Sequence, residues 1–403
     1  MASTEITIDL EEIQALIQAD NGLAQLLERC YNAVLDAEMT EHLQAAPDER
    51  TPARQGYRNG HRSRQLTTRV GTLELEVPRD RDGTFSSELF ARYQRSEKAL
   101  VTTLMEMVVQ GVSTRKVKRV TTELCGTRFT KSTVSRLTQQ LDTQVETWGT
   151  RTLEDDYPFL VLDAMRVKVR RNHAIRSATV LLAIGIRADG IRELLGLWCC
   201  SGETESCYAD FLATLTERGL TGVEVVTSDN HTGLRNAVQA TFPGVIWQRC
   251  QAHFRRNVLD KTPAEYSERM QAVLDTILEA PSPVEARAAF DAAAAEVEAH
   301  AAAAYRTLEA GWEDATAVLS LPMKYRRRLR TTNMLERFIE EIRRRERVIR
   351  IFPNRQSCWR LIGALCAEQH ETWATGRRYF DMDAYWKWKQ EPTTEEQPQP
   401  AAA

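Results

Sequence analysis

The sequence predicts an α/β protein, a mixed sheet with both faces covered. It is interrupted by an all-helical stretch and preceded by a mainly helical region. Three observations carry that reading. Between Tyr157 and Cys200 three apolar runs follow one another as a meander: Phe159 to Val169, Ser177 to Ile186, and Ile191 to Cys200 after a turn at Gly190. A helix-length segment, 203–218, and two short apolar runs, at Val223 and at Val245, Ile246 and Trp247, then alternate with helices, as in a covered mixed sheet. Pro263 to Leu321 is helical and alanine-rich (EARAAFDAAAAEVEAHAAAAY). Alanine favours helix but buries little area, which suits an insertion better than a second catalytic core.

At 403 residues the chain has room for two or three domains, and 42% hydrophobic with 27% charged residues excludes a largely disordered protein. No apolar run approaches a membrane span and the acidic N-terminus is no signal peptide, so a cytoplasmic, nucleoid-associated protein is expected. Eight cysteines in so long a chain do not resemble a disulfide framework; reduced thiols are expected, Cys199 and Cys200 among them as core thiols. The net charge of −3 conceals an asymmetry. Residues 1–50 hold eleven acids and two bases, 51–145 seventeen bases and nine acids, and Lys324 to Arg350 eleven bases and four acids. Basic blocks of this size are the footprint of a polyanion-binding protein, with a solvated charged face as the plainer alternative.

Taken in order, residues 8–45 have helical periodicity (Leu10, Ile13, Leu16, Ile17, then Leu23, Leu26, Leu27, Cys30, Val34), and their acidity points to helix association rather than DNA. Tyr57 to Arg64 reads as a turn-rich basic segment, and Val70 to Pro78 as an exposed strand ended by proline. Three helices are expected between Leu100 and Leu141. The last two suit a helix-turn-helix at about 112–142, with Arg115, Lys116, Lys118 and Arg119 outward on the first and Lys131 and Arg136 on the second; an ordinary helical hairpin is the alternative. Past Pro322, Thr331-Thr332-Asn333 reads as capping residues opening a helix that runs to Pro353, and a last helix covers about 356–375. The expected divisions are an association region 1–50, a DNA-binding region 51–150, a core in two parts (151–262 and 323–385) around an insertion 263–322, and a disordered tail 386–403.

The chemistry lies in carboxylates at strand ends. Asp163 closes the apolar run Phe159 to Leu162, which Met165 to Val169 continues past it, and Asp229 follows the strand at Val223, where open α/β sheets place ligands and metals; a plain cap of the helix beginning near Thr232 is the alternative for Asp229. If the two strands are neighbours, the side chains meet at one edge, and a third carboxylate from a helix across that edge completes an oxygen cage for Mg²⁺. Two such ions roughly 4 Å apart activate the attacking oxygen and neutralise the leaving oxygen of an in-line phosphoryl displacement. Asp155 and Asp156, ahead of the first strand, are expected to be solvated. Glu336 and Glu340 share a helix face, and periodicity does not choose between them. Cys250-x-x-His253 is half of a zinc ligand set with no second pair at suitable spacing, so a packing or site-shaping role is favoured over zinc.

The ordered set VLDAMRVKVR, GIRADGIRELLGLW, TERGL, VVTSDNHTGL, QRCQAHFRRNVL, TTNMLERF and IRRRERVIRIFPN, spread over roughly residues 50–380, resembles bacterial insertion-sequence transposases of the Mutator-like group. The resemblance implies an RNase H-like catalytic core, interrupted by an all-helical insertion, and a DDE triad of metal-binding residues: Asp163, Asp229 and, from TTN-x-x-E, Glu336. It also implies Mg²⁺ in two sites (Mn²⁺ as substitute), double-stranded DNA as partner (terminal inverted repeats and target), and a homodimer or larger assembly. Cys250 and His253 fit the family's C-x-x-H motif. Two positions depart from the pattern: Arg166 stands where an aromatic is usual, and Tyr208 where tryptophan is common. Candidate DNA contacts are Arg58, Arg62, Arg64, Arg115, Lys116, Lys118, Arg119, Lys131, Arg136, Lys168, Arg170, His231, Arg255, Arg256, Asn257, Arg343, Arg344 and Arg345. The expected activity is hydrolytic cleavage at transposon ends followed by transfer of the 3′-hydroxyls to target DNA. A structure-specific nuclease with the same core, and an inert DNA-binding regulator descended from a transposase, are the alternatives.

Overall fold

A computed structural model describes residues 22–68, 70–87, 89, 98–125 and 141–391. The chain divides into two compact units, 1–140 and 141–403.

In the first unit, helix α1 (Gly22–Leu43) packs on a two-stranded antiparallel sheet, β1 (Arg58–Thr68) and β2 (Gly71–Asp80). The basic segment expected to be a turn is therefore mostly strand. Alternation along β2 buries Leu73, Leu75 and Val77 against Leu35 and Ala24 of the helix, and pairing with β2 draws Arg58–Thr68 into the ladder, with a register irregularity between Arg58 and His61. The helix also satisfies two strand N–H groups: Glu74 N donates to Glu28 Oε2 (3.1 Å) and Glu76 N to Asn32 Oδ1 (2.9 Å). This part of the acidic helical region thus covers its own unit's sheet, while Leu23 stays exposed. Beyond β2, buried Asp80 accepts from the Thr84 hydroxyl (2.5 Å) and from the N–H groups of Thr84 (3.0 Å) and Phe85 (3.2 Å). The Thr84 hydroxyl, above all, holds the Asp80 carboxyl far below its ordinary range, against the opposing effect of burial. Stabilisation of that sign is complete above the unfolded carboxylate pKa of about 4 and is lost as pH falls through the lower folded value. Asp80→Ala is expected to destabilise this unit by about 2 kcal/mol at neutral pH. Paired denaturant titrations of wild type and variant should show that gap closing in strong acid.

Helices α2 (Lys98–Val109) and α3 (Thr114–Cys125) bury Leu100, Leu104 and Val117 together. Arg115, Lys116, Lys118 and Arg119 are exposed on α3. The second helix of the expected helix-turn-helix, with Lys131 and Arg136, lies outside the described residues.

The second unit begins with α4 (Leu141–Thr150), which the expected boundary at 150 groups with the preceding region. Its Asp142 takes a two-pronged ion pair from Arg360 (2.6 and 2.7 Å) on α13 (Arg355–Ala374). The same helices meet so closely that a Cβ on Gly363 would fall 2.2 Å from Val145. The sheet contains β3 (Phe159–Arg171), β4 (Ala174–Ile186), β5 (Arg192–Cys200), β6 (Val225–Ser228) and β7 (Ile246–Arg249) in the order β5-β4-β3-β6-β7. Strands β3, β4 and β5 pair antiparallel; β6 and β7 join parallel to β3. This mixed α/β arrangement is compatible with an RNase H-like core.

One face of the sheet packs Leu160, Leu162 and Leu195 against α5 (Glu205–Glu217) and α6 (Thr232–Thr241) through Phe211, Leu212, Leu215, Leu234 and Val238. The other buries Phe159, Ile186 and Val225 under Val318, Leu321, Tyr325, Leu329, Phe380, Met382 and Tyr385. Helix α7 (Gln251–Leu259) leads from β7 into α8 (Ser267–Leu278), α9 (Pro283–Glu309, kinked at Ala301) and α10 (Trp312–Thr316), which share their own core around Phe254, Leu274, Ile277, Phe290 and Trp312. Then come α11 (Met323–Leu329), α12 (Asn333–Ile349) and α13.

Two expectations need correction. A further helix, α14 (Asp383–Gln390), occupies the start of the expected tail: Tyr385 is buried and donates to Glu224 Oε2 (2.7 Å), and Trp386 Nε1 donates to the Ala188 carbonyl (3.0 Å). Its eight residues, aromatic and charged by turns, are too few for periodicity to reveal. And the cysteines are not all free thiols, because Cys200, closing β5, and Cys207, in the first turns of α5, form a disulfide. No helix among the described residues is long and apolar enough to cross a membrane.

Candidate active site

The register of the sheet decides where the carboxylates stand. Leu160 pairs with Val226 and Val161 with Thr227. Carried two residues further, that alignment sets Asp163 level with Asp229, the first residue past β6. Asp229 is not the cap of α6. His231 holds that position, while Asp229 Oδ1 accepts from Asn230 N (2.7 Å) in a tight turn.

Three hydrogen bonds across the strand ends then fix the segment that carries the third acid. Thr227 Oγ1 donates to the Leu329 carbonyl (2.6 Å), Gln251 N to the Arg330 carbonyl (2.9 Å), and Cys250 N to the Ser228 carbonyl (2.7 Å). With α11 anchored in this way, α12 starts beside β6 and presents Glu336 from its first turn. The side chain of Thr332 does not cap α12, as the sequence suggests. Its hydroxyl lies 3.3 Å from Cys250 Sγ and 3.0 Å from Glu336 Oε1, so its one proton serves either.

Between the acids sits His253, with Nδ1 3.9 Å from Asp229 Oδ1 and Nε2 3.5 Å from Glu336 Oε1. Burial is the main reason the Asp163 carboxyl is pushed up to about 6; the Ala164 N–H and His253 oppose it, and the charges of Glu336 and Asp229 add to it. Cys250 has the largest part in holding the His253 imidazole up to about 9, against burial, with help from Asp229 and Glu336. Asp163, Asp229 and Glu336, from distant parts of the chain, thus lie within electrostatic reach of one another and of His253.

The rival acids are placed elsewhere. Glu340 is exposed, and Glu341 pairs with Arg344 (2.9 Å) and Arg345 (2.6 Å). Asp155 pairs with Arg187 (3.1 Å), and Asp156 accepts from Thr221 (2.8 Å).

Of the candidate DNA contacts, Arg62, Arg115, Lys116, Lys118, Arg119, Lys168, Arg170, Arg256 and Asn257 are exposed. Others are engaged within the protein: Arg58 donates to Thr40 Oγ1 (2.6 Å), and Arg255 is held by Asp275 and Glu279. Arg344 and Arg345 are held by Glu341, while Arg64 and Arg343 are half-buried. His231 lies over the Tyr208 ring (centroids 5.2 Å apart) and 3.8 Å from Glu203, which also takes the Arg166 guanidinium (3.0 Å). Of the two positions that depart from the family pattern, Arg166 thus reaches Glu203 directly and Tyr208 only by way of His231; no sequence signal singles out Glu203. Thr332 was readable only as part of its motif; its contact with Cys250 spans 82 residues.

A family model described as "Transposase, Mutator family" matches residues 1–376. The transposase for insertion sequence element ISRM5 of Rhizobium meliloti (strain 1021) is 45% identical over 368 residues, 91% of this chain and 92% of its own. The transposase for IS256 in transposon Tn4001 of Staphylococcus aureus is 42% identical over 390 residues (95% and 100%). That for IS1081 of Mycobacterium tuberculosis (strain ATCC 25618 / H37Rv) is 35% identical over 396 residues (97% and 95%). With the family matched over nearly its whole length and relatives this similar from end to end, the chain belongs to the Mutator family of transposases.

Proposed function

We propose that this transposase cuts DNA at the ends of an insertion sequence and joins the freed 3′-hydroxyls to target DNA, using Asp163, Asp229 and Glu336 of an RNase H-like core as its metal ligands. The observation that carries this reading is the register that sets Asp163 level with Asp229, together with the placing of Asp229 and Glu336 on either side of His253. Oxygen ligands of this kind suit Mg²⁺, with Mn²⁺ as substitute, and the raised Asp163 carboxyl fits a site whose charge balance is completed by a cation. When bound, such ions activate the attacking water or 3′-hydroxyl and neutralise the leaving oxygen.

The protein's own share is positioning. The paired strands hold Asp163 and Asp229 level, the anchored start of α12 holds Glu336, and His253 lies between two of the acids. Exposed bases in the first unit (Arg62, Arg115, Lys116, Lys118, Arg119) supply contacts to the terminal inverted repeats. Lys168 and Arg170 on β3, with Arg256 and Asn257 on α7, supply further phosphate contacts from the second unit. Two or more copies hold the two ends.

The test is Mg²⁺-dependent cleavage and strand transfer on a labelled transposon-end duplex, wild type beside Asp229→Asn. Activity lost in the variant with end binding retained supports the assignment, and equal activity in both overturns it. Cleavage without joining favours a nuclease, and binding without cleavage favours a regulator.

A further inference from the structure

The geometry points to a second, soft-metal site that shares Glu336 with the catalytic carboxylates: Cys250, His253 and Glu336 together bind Zn²⁺ or a chemically similar ion. Ligand atoms of the three side chains all lie within 4.8 Å of one another. The sequence offered only Cys250-x-x-His253, half of a ligand set. The fold adds the third ligand from α12, because Gln251 and Thr227 hydrogen-bond the end of α11 and bring α12 down onto Cys250.

The sulfur is fully buried and prepared for the thiolate form. Thr332 turns both its backbone N–H (3.4 Å) and its hydroxyl (3.3 Å) toward Sγ. His253 and Glu336 are part-exposed, 21% and 34% at the side chain, leaving the remaining position of a tetrahedral ion open to water.

A thiolate, an imidazole and one carboxylate suit Zn²⁺ and not Mg²⁺, which takes oxygen ligands. Glu336 is common to both sets, so a soft ion held by Cys250 and His253 competes with Mg²⁺ for its carboxylate. The inferred consequence is inhibition of cleavage by Zn²⁺ in the presence of Mg²⁺. This inhibitory role rests on the function proposed above; the binding site itself does not.

Titration of the full-length protein with Co²⁺ alone, without DNA, tests the site by the near-ultraviolet absorption of a cobalt–thiolate bond. The band is expected in wild type, displaced by Zn²⁺ and lost in Cys250→Ser. In Glu336→Gln it should be weakened by about tenfold or more in affinity. Asp163→Asn, which removes no ligand of this set, should retain it. Absence of the band in wild type, or its survival in Cys250→Ser, overturns the site. Should Cys250→Ser fail to fold, Glu336→Gln decides, since a part-exposed glutamine replaces its acid without a cavity, and unchanged affinity there also overturns it. A band in a protein that never cleaves transposon ends supports the site and overturns the function proposed above, so the two fail separately.

Discussion

Asp163→Asn should make the metal-free protein more stable at pH 7 while removing Mg²⁺-dependent cleavage. The two effects have one cause. Burial and the neighbouring acids push the Asp163 carboxyl up to about 6, so the folded state holds its proton at a pH where the unfolded chain, with a pKa of about 4, has released it. The penalty for ionising Asp163 in the fold is absent well below pH 4, grows between the two values and is complete above about pH 6. Removing the charge relieves up to about 3 kcal/mol there. Thermal unfolding in chelator at pH 8 and pH 4 checks the sign: the variant should melt higher at the first and level with wild type at the second. Added Mg²⁺ should raise only the wild type. Cleavage should fall by more than the roughly 10–100-fold that follows loss of a group merely supporting a metal ligand. A variant that is less stable at pH 8 would contradict the desolvated setting of Asp163.

Phe159→Ala is expected to destabilise the second unit by about 4 kcal/mol, the cost of an aromatic truncation in a packed core. Phe159 is fully buried at the start of β3, with ring centroids 4.9 Å from Tyr385, 5.5 Å from Phe380 and 6.2 Å from Tyr325. The two edge-to-face pairs, with Tyr385 and Phe380, add about 1 kcal/mol each beyond buried area. The denaturant midpoint should drop with little change in slope, and a loss under about 1 kcal/mol would mean that α11 and α14 do not close over the sheet. Because β3 carries Asp163 four residues on, cleavage should weaken as well.

The strands of the sheet were legible as apolar runs bounded by turn residues, Asp229 because it follows one, and Asp163 because it interrupts another, the strand carrying on beyond it to Arg171. Glu336 was not legible in that way. Its helix offers Glu340 on the same face, and only the motif preferred one; the choice is made in space by the Thr227–Leu329 and Gln251–Arg330 hydrogen bonds, which no local pattern encodes. Basic residues were read as a class, yet Arg58 and Arg255 are spent on partners 18 and 20 residues away in sequence. Charge runs report composition, and only packing tells which members face water. The Tyr57–Arg64 segment misled for a related reason: its strand character comes from pairing with β2 rather than from its own polar side chains.

The aromatic cluster over Phe159 also sets a timetable for synthesis. Its outer members, Tyr325, Phe380 and Tyr385, leave the ribosome long after β3, and Tyr385 near the end of the described chain. Until then the face of the central strand that bears Phe159 has nothing to cover it, so the nascent chain must be sheltered from aggregation by other means. A message truncated before Val318 would yield a polypeptide lacking every later residue that covers that face. Such fragments should be cleared by proteolysis rather than accumulate as competitors for transposon ends.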